Sequence, residues 1–265
     1  KNTFCISKGG YAFLSQHLGD LKDMNGFYNF EFLLEHFKKL YKLQETFTAC
    51  DLHPDYLTSK QADFISVDKF SIQHHQAHLV SCMVENKVKD KVLGLIFDGT
   101  GLGTDNKIWG GEFLLSSLRD FKRVGHLKYT KMPGGDRVVK EPWRMAVSYL
   151  YSLGYKPKDM SFIGLKKEKI SIIYKMLKNN FNCIETSSMG RLFDTVAALI
   201  GIRKVVSYQA EAAMELECTA NKGIRRKYNY SLLKDGEKWI VDTDVMIEEI
   251  ITDYKEDDLP KILIV

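Results

Sequence analysis

The chain has 265 residues, enough for one large domain or two lobes, and 45% of them are hydrophobic, so it can bury a core. Its formal net charge is only +4, with Lys and Glu interspersed, which excludes the one-sided basic stripe of a nucleic-acid binder. No apolar run reaches the roughly 18–20 residues a membrane span needs, and the first residues lack the charged, apolar and small-residue sections of a secretory signal.

Residues 3–19 alternate and turn at Gly9-Gly10, as a β-hairpin does. Asn29 to Leu43 carries Phe32, Leu33, Phe37 and Leu40 at helical spacing. Phe47 to Leu52 is a short strand with Asp51-Leu52-His53-Pro54-Asp55 as its exit loop, and Phe70 to Gln73 is another, running into a helix from His74 to Val84. This alternation completes a first α/β lobe, residues 1–90. In the second lobe, residues 91–265, Val92 to Phe97 reads as a buried strand ending in Asp98-Gly99-Thr100-Gly101-Leu102-Gly103. Gly111 to Ser116 and Phe121 to Tyr129 are further strands. Glu141–Leu153, Ser188–Ile200 and Gln209–Ala220 read as helices, the second capped by Ser187 or Ser188. Trp143, at helical spacing to Met145 and Val147, is a core residue, and Lys166 to Asn180 is a basic, solvated helix. The second lobe is expected to be short of strands. The chain starts at Lys1 and stops at Lys261-Ile262-Leu263-Ile264-Val265, which reads as the opening of a buried strand, so the expectation is a piece of a longer protein, truncated at its C-terminus.

Cys5, Cys50, Cys82, Cys183 and Cys218 are widely spaced and form no CxxC pair, which excludes a zinc ribbon in this stretch. Buried, reduced thiols in a cytoplasmic protein are expected.

His74 and His78 stand four apart on the predicted helix, so both imidazoles share one face, while His75 points elsewhere. Neutral imidazole suits Zn and Fe(II), and Asp98 at the end of the next strand is a candidate oxygen ligand. Spacing alone leaves a second reading open, an incidental HxxxH pair. The run from Asp98 to Gly103 lies between two strands, which excludes Rossmann and Walker loops, since both need a strand–loop–helix context. It is either a hairpin phosphate loop, with Gly99 and Gly101 allowing close backbone approach, Thr100 donating a hydroxyl and Asp98 holding a cation, or an ordinary glycine-rich turn. Pro133-Gly134-Gly135-Asp136 is a second such turn. Gly134 and Gly135 can pack against a base or ribose with Asp136 accepting from a sugar hydroxyl, or the segment is a plain turn.

Several blocks resemble the HypF carbamoyltransferase family. Gln73-His74-His75-Gln76-Ala77-His78 is similar to its QHHHAH signature, and Phe97-Asp98-Gly99-Thr100-Gly101 with Ile108-Trp109-Gly110-Gly111-Glu112-Phe113 to its FDGTGYG…IWGGEF run. Pro133-Gly134-Gly135-Asp136 with Glu141-Pro142-Trp143-Arg144-Met145-Ala146 resembles PGGD…EPWRMA. Ser187 to Asp194 reads SSMGRLFD and Asp51 to Tyr56 reads DLHPDY, as in the family, and the likeness runs from about Asn2 to Glu217. It implies an α/β, actin-like ATPase (ASKHA) fold of two lobes, and a divalent metal, Fe or Zn, held by His74, His78 and Asp98. It also implies ATP or carbamoyl-adenylate on the two glycine turns and on Ser188 and Gly190.

The implied reaction passes the carbamoyl group of carbamoyl-adenylate, made from carbamoyl phosphate and ATP, to the C-terminal cysteine of HypE. This serves cyanide-ligand synthesis for [NiFe]-hydrogenase, in a cleft between lobes that excludes water. The nucleophile is the partner's thiolate, so the chain needs none of its own. No nucleic acid or membrane partner is expected. The alternatives are a nucleotide-binding module that docks HypE without chemistry and a tRNA threonylcarbamoyl-transfer relative, against which the Trp-Gly-Gly-Glu and Glu-Pro-Trp-Arg-Met blocks argue. The family's late nucleotide motif and last aspartate ligand would lie beyond Val265. Gln209-Ala210-Glu211 stands where the family has Glu-Gly-Gln, and no role is carried over to these three.

Overall fold

The computed structural model describes residues 2–19, 21, 23–220 and 227–256, which divide into two compact units, residues 1–72 and 73–265. In the first, β1 (Cys5–Lys8) and β2 (Tyr11–Leu14) form the antiparallel hairpin, with Gly9 and Gly10 at φ +60° and +81°. Helix α1 (Met24–Leu40) starts ahead of the expected Asn29 because the Asp23 side chain caps it, accepting from the Asn25 N–H. Phe30 of α1 is buried with Leu18 and Leu21, and Phe4 stands edge-on to Phe30 and Phe37. The strands β3 (Phe47–Asp51) and β4 (Asp68–Ile72) pair in parallel across helix α2 (Leu57–Ala62).

The second unit opens with α3 (His74–Glu85), followed by the antiparallel strands β5 (Val92–Leu102), β6 (Ile108–Ser116) and β7 (Phe121–Leu127). Helix α3 lies on β5 and β6, with Leu79 packed beside Ile96, Trp109 and Leu114. By its contacts the histidine helix is grouped with the second unit.

The chain continues through β8 (Thr130–Pro133), α4 (Arg137–Lys140), α5 (Trp143–Ser152), a 3-10 turn (Pro157–Ile163), α6 (Lys167–Lys178) and β9 (Cys183–Thr186). Then come α7 (Met189–Leu199), α8 (Glu211–Thr219), β10 (Ser231–Asp235), β11 (Lys238–Asp242) and α9 (Asp244–Lys255). The expected scarcity of strands is corrected. Among the described residues the sheet has seven, in the order β10-β11-β7-β6-β9-β8 with β5 paired to β6. The four that the sequence concealed are too short, or in β10 too exposed, to carry an alternating apolar pattern. The expected helix over 141–153 is α5, which starts at Trp143 with Pro142 as its N-cap; Glu141, ahead of the proline, is held at φ −127°, ψ 70° and separates it from the short α4. Helices α5, α6 and α7 pack their apolar faces together around Met145, Leu150, Ile173, Leu177 and Leu199, with Trp143 in the same core.

The thiols differ from expectation: Cys5, Cys82 and Cys218 are exposed, Cys50 and Cys183 half-buried, and all five are free. The apolar run Lys261–Val265 lies outside the described residues. Among the described residues no helix is long and apolar enough to cross a membrane. Ala210, at the N-cap of α8, has φ +63°, where an L side chain is strained by roughly 1–2 kcal/mol. Replacing Ala210 with Gly is expected to stabilise the chain by about 1 kcal/mol in urea unfolding, since glycine's larger unfolded-state entropy offsets part of the relief.

Candidate metal centre and phosphate loop

The site begins where β4 gives way to α3. The Gln73 side-chain oxygen caps α3 by accepting from the Gln76 N–H at 2.9 Å. That places His74 at the first helical position and His78 one turn on, with their Nε2 atoms 3.2 Å apart. Asp98 leaves β5 where its pairing with β6 slips: Phe97 pairs with Gly111 and Gly101 with Trp109, so Asp98, Gly99 and Thr100 oppose the single residue Gly110. Asp98 Oδ1 accepts from the Gly99 N–H at 2.6 Å, which turns Oδ2 toward the imidazoles, 3.1 Å from His74 Nε2 and 3.9 Å from His78 Nε2. Burial pushes the Asp98 carboxyl upward, but the contacts with His74 and the Gly99 N–H outweigh it and hold the group below the usual carboxylate range.

Two imidazole nitrogens and a carboxylate oxygen fit a divalent cation. Four ligands at about 2.0–2.2 Å in a tetrahedron stand about 3.4 Å from one another, and the observed edges of 3.1, 3.2 and 3.9 Å bracket that value. The His78 side chain is 60% exposed, so the approach from that side is open to a further ligand.

Gly101 permits this approach of β5 to α3: a Cβ there would stand 2.5 Å from His75 Cε1 and 2.9 Å from His74 Cδ2. Changing Gly101 to Ala is expected to displace the His74 ring and lower metal affinity by about tenfold or more, read by competition with a chelating dye, with helix content by circular dichroism unchanged.

His75 does not point away from the site. It is fully buried, with Nε2 3.9 Å from Asp98 Oδ2. Because Gln73 spends its oxygen on the cap, its amide NH2 donates to His75 Nδ1 at 3.0 Å and to the Leu102 carbonyl at 3.1 Å. The Nδ1 lone pair is thereby used, the ring proton lies on Nε2, and burial pushes the pKa down to about 4, so His75 is a neutral ring beside Asp98, with Nε2 too far from Oδ2 for a hydrogen bond.

The start of α7 is fastened to the same loop. Ser188, its N-cap, accepts from the Arg191 N–H at 3.1 Å and directs its hydroxyl to the carbonyls of Gly99 and Asp98 at 2.8 and 3.0 Å. Gly190 lies so near that a Cβ on it would be 2.9 Å from the Gly99 Cα. Thus the structure brings Asp98, Gly99, Thr100, Gly101, Ser188 and Gly190 together beside His74 and His78, with the positive end of α7 directed at the loop.

Two features escaped the sequence. Arg191 is buried next to Gly99 and pairs with Asp194 at 3.0 Å, and burial pushes the Asp194 carboxyl up to about 6 despite the guanidinium. Beneath the loop, fully buried Glu112 accepts from the N–H groups of Gly110 and Gly111 (3.1 and 3.3 Å), from Ser187 Oγ (2.5 Å) and from Arg123 Nε (2.6 Å). Arg123 lies 3.9 Å over the Trp109 ring and reaches the Tyr129 hydroxyl at 2.7 Å, and Asp105 accepts from both Trp109 and Tyr129. An acid within the apolar IWGGEF strand was the visible signal.

Gly134, Gly135 and Asp136 do not join this group. In the β8–β9 pair Thr130 lies opposite Thr186, next to Ser187, while Pro133 lies opposite Cys183, three residues and about 10 Å away along the strand.

A mixed sheet with a glycine loop facing a helix N-terminus and a His–His–Asp triad defines an α/β module of the actin-like ATPase type. Residues 1–85 match the family described as the HypF Kae1-like domain, and residues 94–264 the one described as "Carbamoyltransferase, Kae1-like Domain, second subdomain". The chain belongs to the HypF carbamoyltransferase family. It is 37% identical over 224 residues to carbamoyltransferase HypF2 of Cupriavidus necator, covering 82% of this chain and 27% of that protein. It is 35% identical over 274 residues to HypF of a Synechocystis species, covering 96% and 35%. A crystal structure of full-length HypF in a phosphate- and nucleotide-bound form superposes with TM-score 0.94 at 37% identity, over 99% of this chain and 34% of that one. The chain thus spans about a third of the length of these relatives.

Proposed function

We propose that this chain is the carbamoyl-transferring module of a HypF protein, taking carbamoyl-adenylate and delivering its carbamoyl group to the C-terminal cysteine of HypE during [NiFe]-hydrogenase maturation. The observation that carries the reading is the convergence of His74, His78 and Asp98 on one point beside the loop held by Ser188, in a chain of this family. The nucleotide and phosphate bound in the similar HypF crystal structure support it. In the intact protein the adenylate would be made from carbamoyl phosphate and ATP. The five free thiols support a reducing, cytoplasmic setting.

His74, His78 and Asp98 would hold the divalent metal, Fe or Zn, which when bound polarises a carbonyl or phosphate oxygen as a Lewis acid. Loop 98–101 and the N-terminal amides of α7 bind and orient the adenylate phosphate, and Arg191 adds a buried positive charge beside Gly99. The acceptor thiolate attacks the carbamoyl carbon: a C–S bond forms, the C–O bond to AMP breaks, AMP leaves with the electron pair, and the thiol proton passes to solvent.

The test supplies pre-formed carbamoyl-adenylate and HypE to this chain and maps the HypE C-terminal peptide by mass spectrometry. The expected result is a thiocarbamate on the terminal cysteine, dependent on His78. If the complex forms and no label transfers, the chain is a docking module without chemistry of its own.

A further inference from the structure

Building on the adenylate reading of loop 98–101, we infer that Asp194 is the internal counter-charge of that loop. In the free chain it holds the Arg191 guanidinium. It takes up one proton from solvent as a phosphate anion arrives and Arg191 turns its free N–H groups to the anion.

Arg191 and Asp194 stand three apart in the first turns of α7, 7% and 3% exposed, with Nη2 3.0 Å from Oδ2. The contact is an ion pair without hydrogen-bond alignment. Among the described residues neither Asp194 Oδ2 nor Arg191 Nε and Nη1 has a hydrogen-bond partner. The Glu112–Arg123 pair shows what a saturated pair looks like in the same unit. There one carboxylate oxygen accepts from Arg123 Nε, and the other from Ser187 and two backbone N–H groups. A buried pair with unmet donors does not recover its desolvation cost, which marks the open donors of Arg191 as groups kept for a ligand. They lie beside the loop: Nη2 is 3.9 Å from where a Cβ on Gly99 would be, next to the N-terminal amides of α7. A guanidinium fork in that position suits phosphate oxygens.

A neutral Arg–Asp pair attracts an anion weakly, because the carboxylate repels what the guanidinium draws in. Adding a proton to the carboxylate leaves one unopposed positive charge. Burial brings Asp194 close to that step, pushing its carboxyl up to about 6 in spite of Arg191. An anion at the loop raises it further by like-charge repulsion, so binding draws in a proton. Among the described residues Arg191 is the charged group that acts on Asp194. Of the elements packed on α7, β5 contributes Asp98, which acts on Arg191. No charged group of β6, α5, α8 or α9 acts on Asp194.

The test is calorimetry of the chain with adenosine 5′-(methyl phosphate), a diester that carries one negative charge at every pH used, in buffers of different ionisation enthalpy. The dependence of the heat on the buffer counts the protons taken up. For an upward shift of one unit on binding, the parent is expected to take up about half a proton more than Asp194→Asn near pH 6.5. On the same basis its affinity falls about sevenfold relative to the variant between roughly pH 5.5 and 8. Contributions of other ionisable groups, His74 and His78 included, are common to parent and variant and cancel. Uncharged adenosine is expected to give equal counts in the two chains. ¹³C-carboxyl NMR of the parent reads the Asp194 titration without a variant, and the diester is expected to move its midpoint up by about one unit. Equal proton counts in parent and Asp194→Asn, or a midpoint that the diester leaves in place, overturn the inference and leave the adenylate reading standing. Failure of the diester to bind overturns both.

Discussion

Replacing His74 or His78 with alanine is expected to strip the chain of its metal while leaving it folded. Each change removes one of three donor atoms that lie within 4.8 Å of one another, and two remaining donors on a half-open surface cannot hold a divalent ion at micromolar concentrations. Loss of a supporting partner alone costs roughly 10–100-fold in affinity, so loss of a ligand is expected to cost about a hundredfold or more. The fold survives because His78 is mostly exposed and α3 is anchored through Leu79 rather than through the imidazoles. Metal content by emission spectroscopy after dialysis, read beside circular dichroism, decides the matter. Full retention of metal by both variants would show that the triad is a solvent-facing cluster.

The largest effect on stability is expected at Glu112. Alanine there removes the fully buried carboxylate from the Arg123 guanidinium, leaving it Asp105 at 3.3 Å, and strands the Gly110 and Gly111 N–H groups and the Ser187 hydroxyl. Breaking a buried pair by removing one partner costs about 3–5 kcal/mol, which for a unit of this size lowers Tm by about 10 °C. Glu112→Gln keeps an acceptor oxygen and is expected to cost less. Glu112→Leu combined with Arg123→Met, which removes both charges of the pair, is expected to recover only part of the loss in calorimetry, because the Gly110, Gly111 and Ser187 donors stay unmet and Asp105 loses its cation. A Glu112→Ala variant that melts with the parent would mean that the pair is dispensable for holding the loop.

The contrast between what the sequence disclosed and what it hid has a physical origin. The hairpin at Gly9-Gly10, the helix from His74 and the Ser188 cap were legible because each is local: a turn residue, a 3.6-residue period, a side chain reaching three residues along its own chain. The triad was accessible for a similar reason, two ligands being one helical turn apart and the third ending the next strand. The Glu112–Arg123 pair was not. These residues are eleven apart on neighbouring strands, and their alignment depends on a register shift between Phe113 and Leu114 that no periodicity announces. The PGGD segment was recognisable as a turn, but only the antiparallel pairing of β8 with β9 tells which end of the sheet it occupies. His75 was misjudged because a helical wheel gives direction without depth, and β5 packs close enough to enclose the ring.

If the chain handles carbamoyl-adenylate as proposed, the exposed thiol of Cys82 has a consequence. On α3 it follows His78 by one turn, a rise of about 6 Å, along the same stripe as both histidines. A mixed anhydride that escaped before delivery would therefore meet a bystander nucleophile on the same chain. Self-labelling at that position would masquerade as turnover in any assay that counts total protein-bound carbamoyl, and a Cys82→Ser background would silence it.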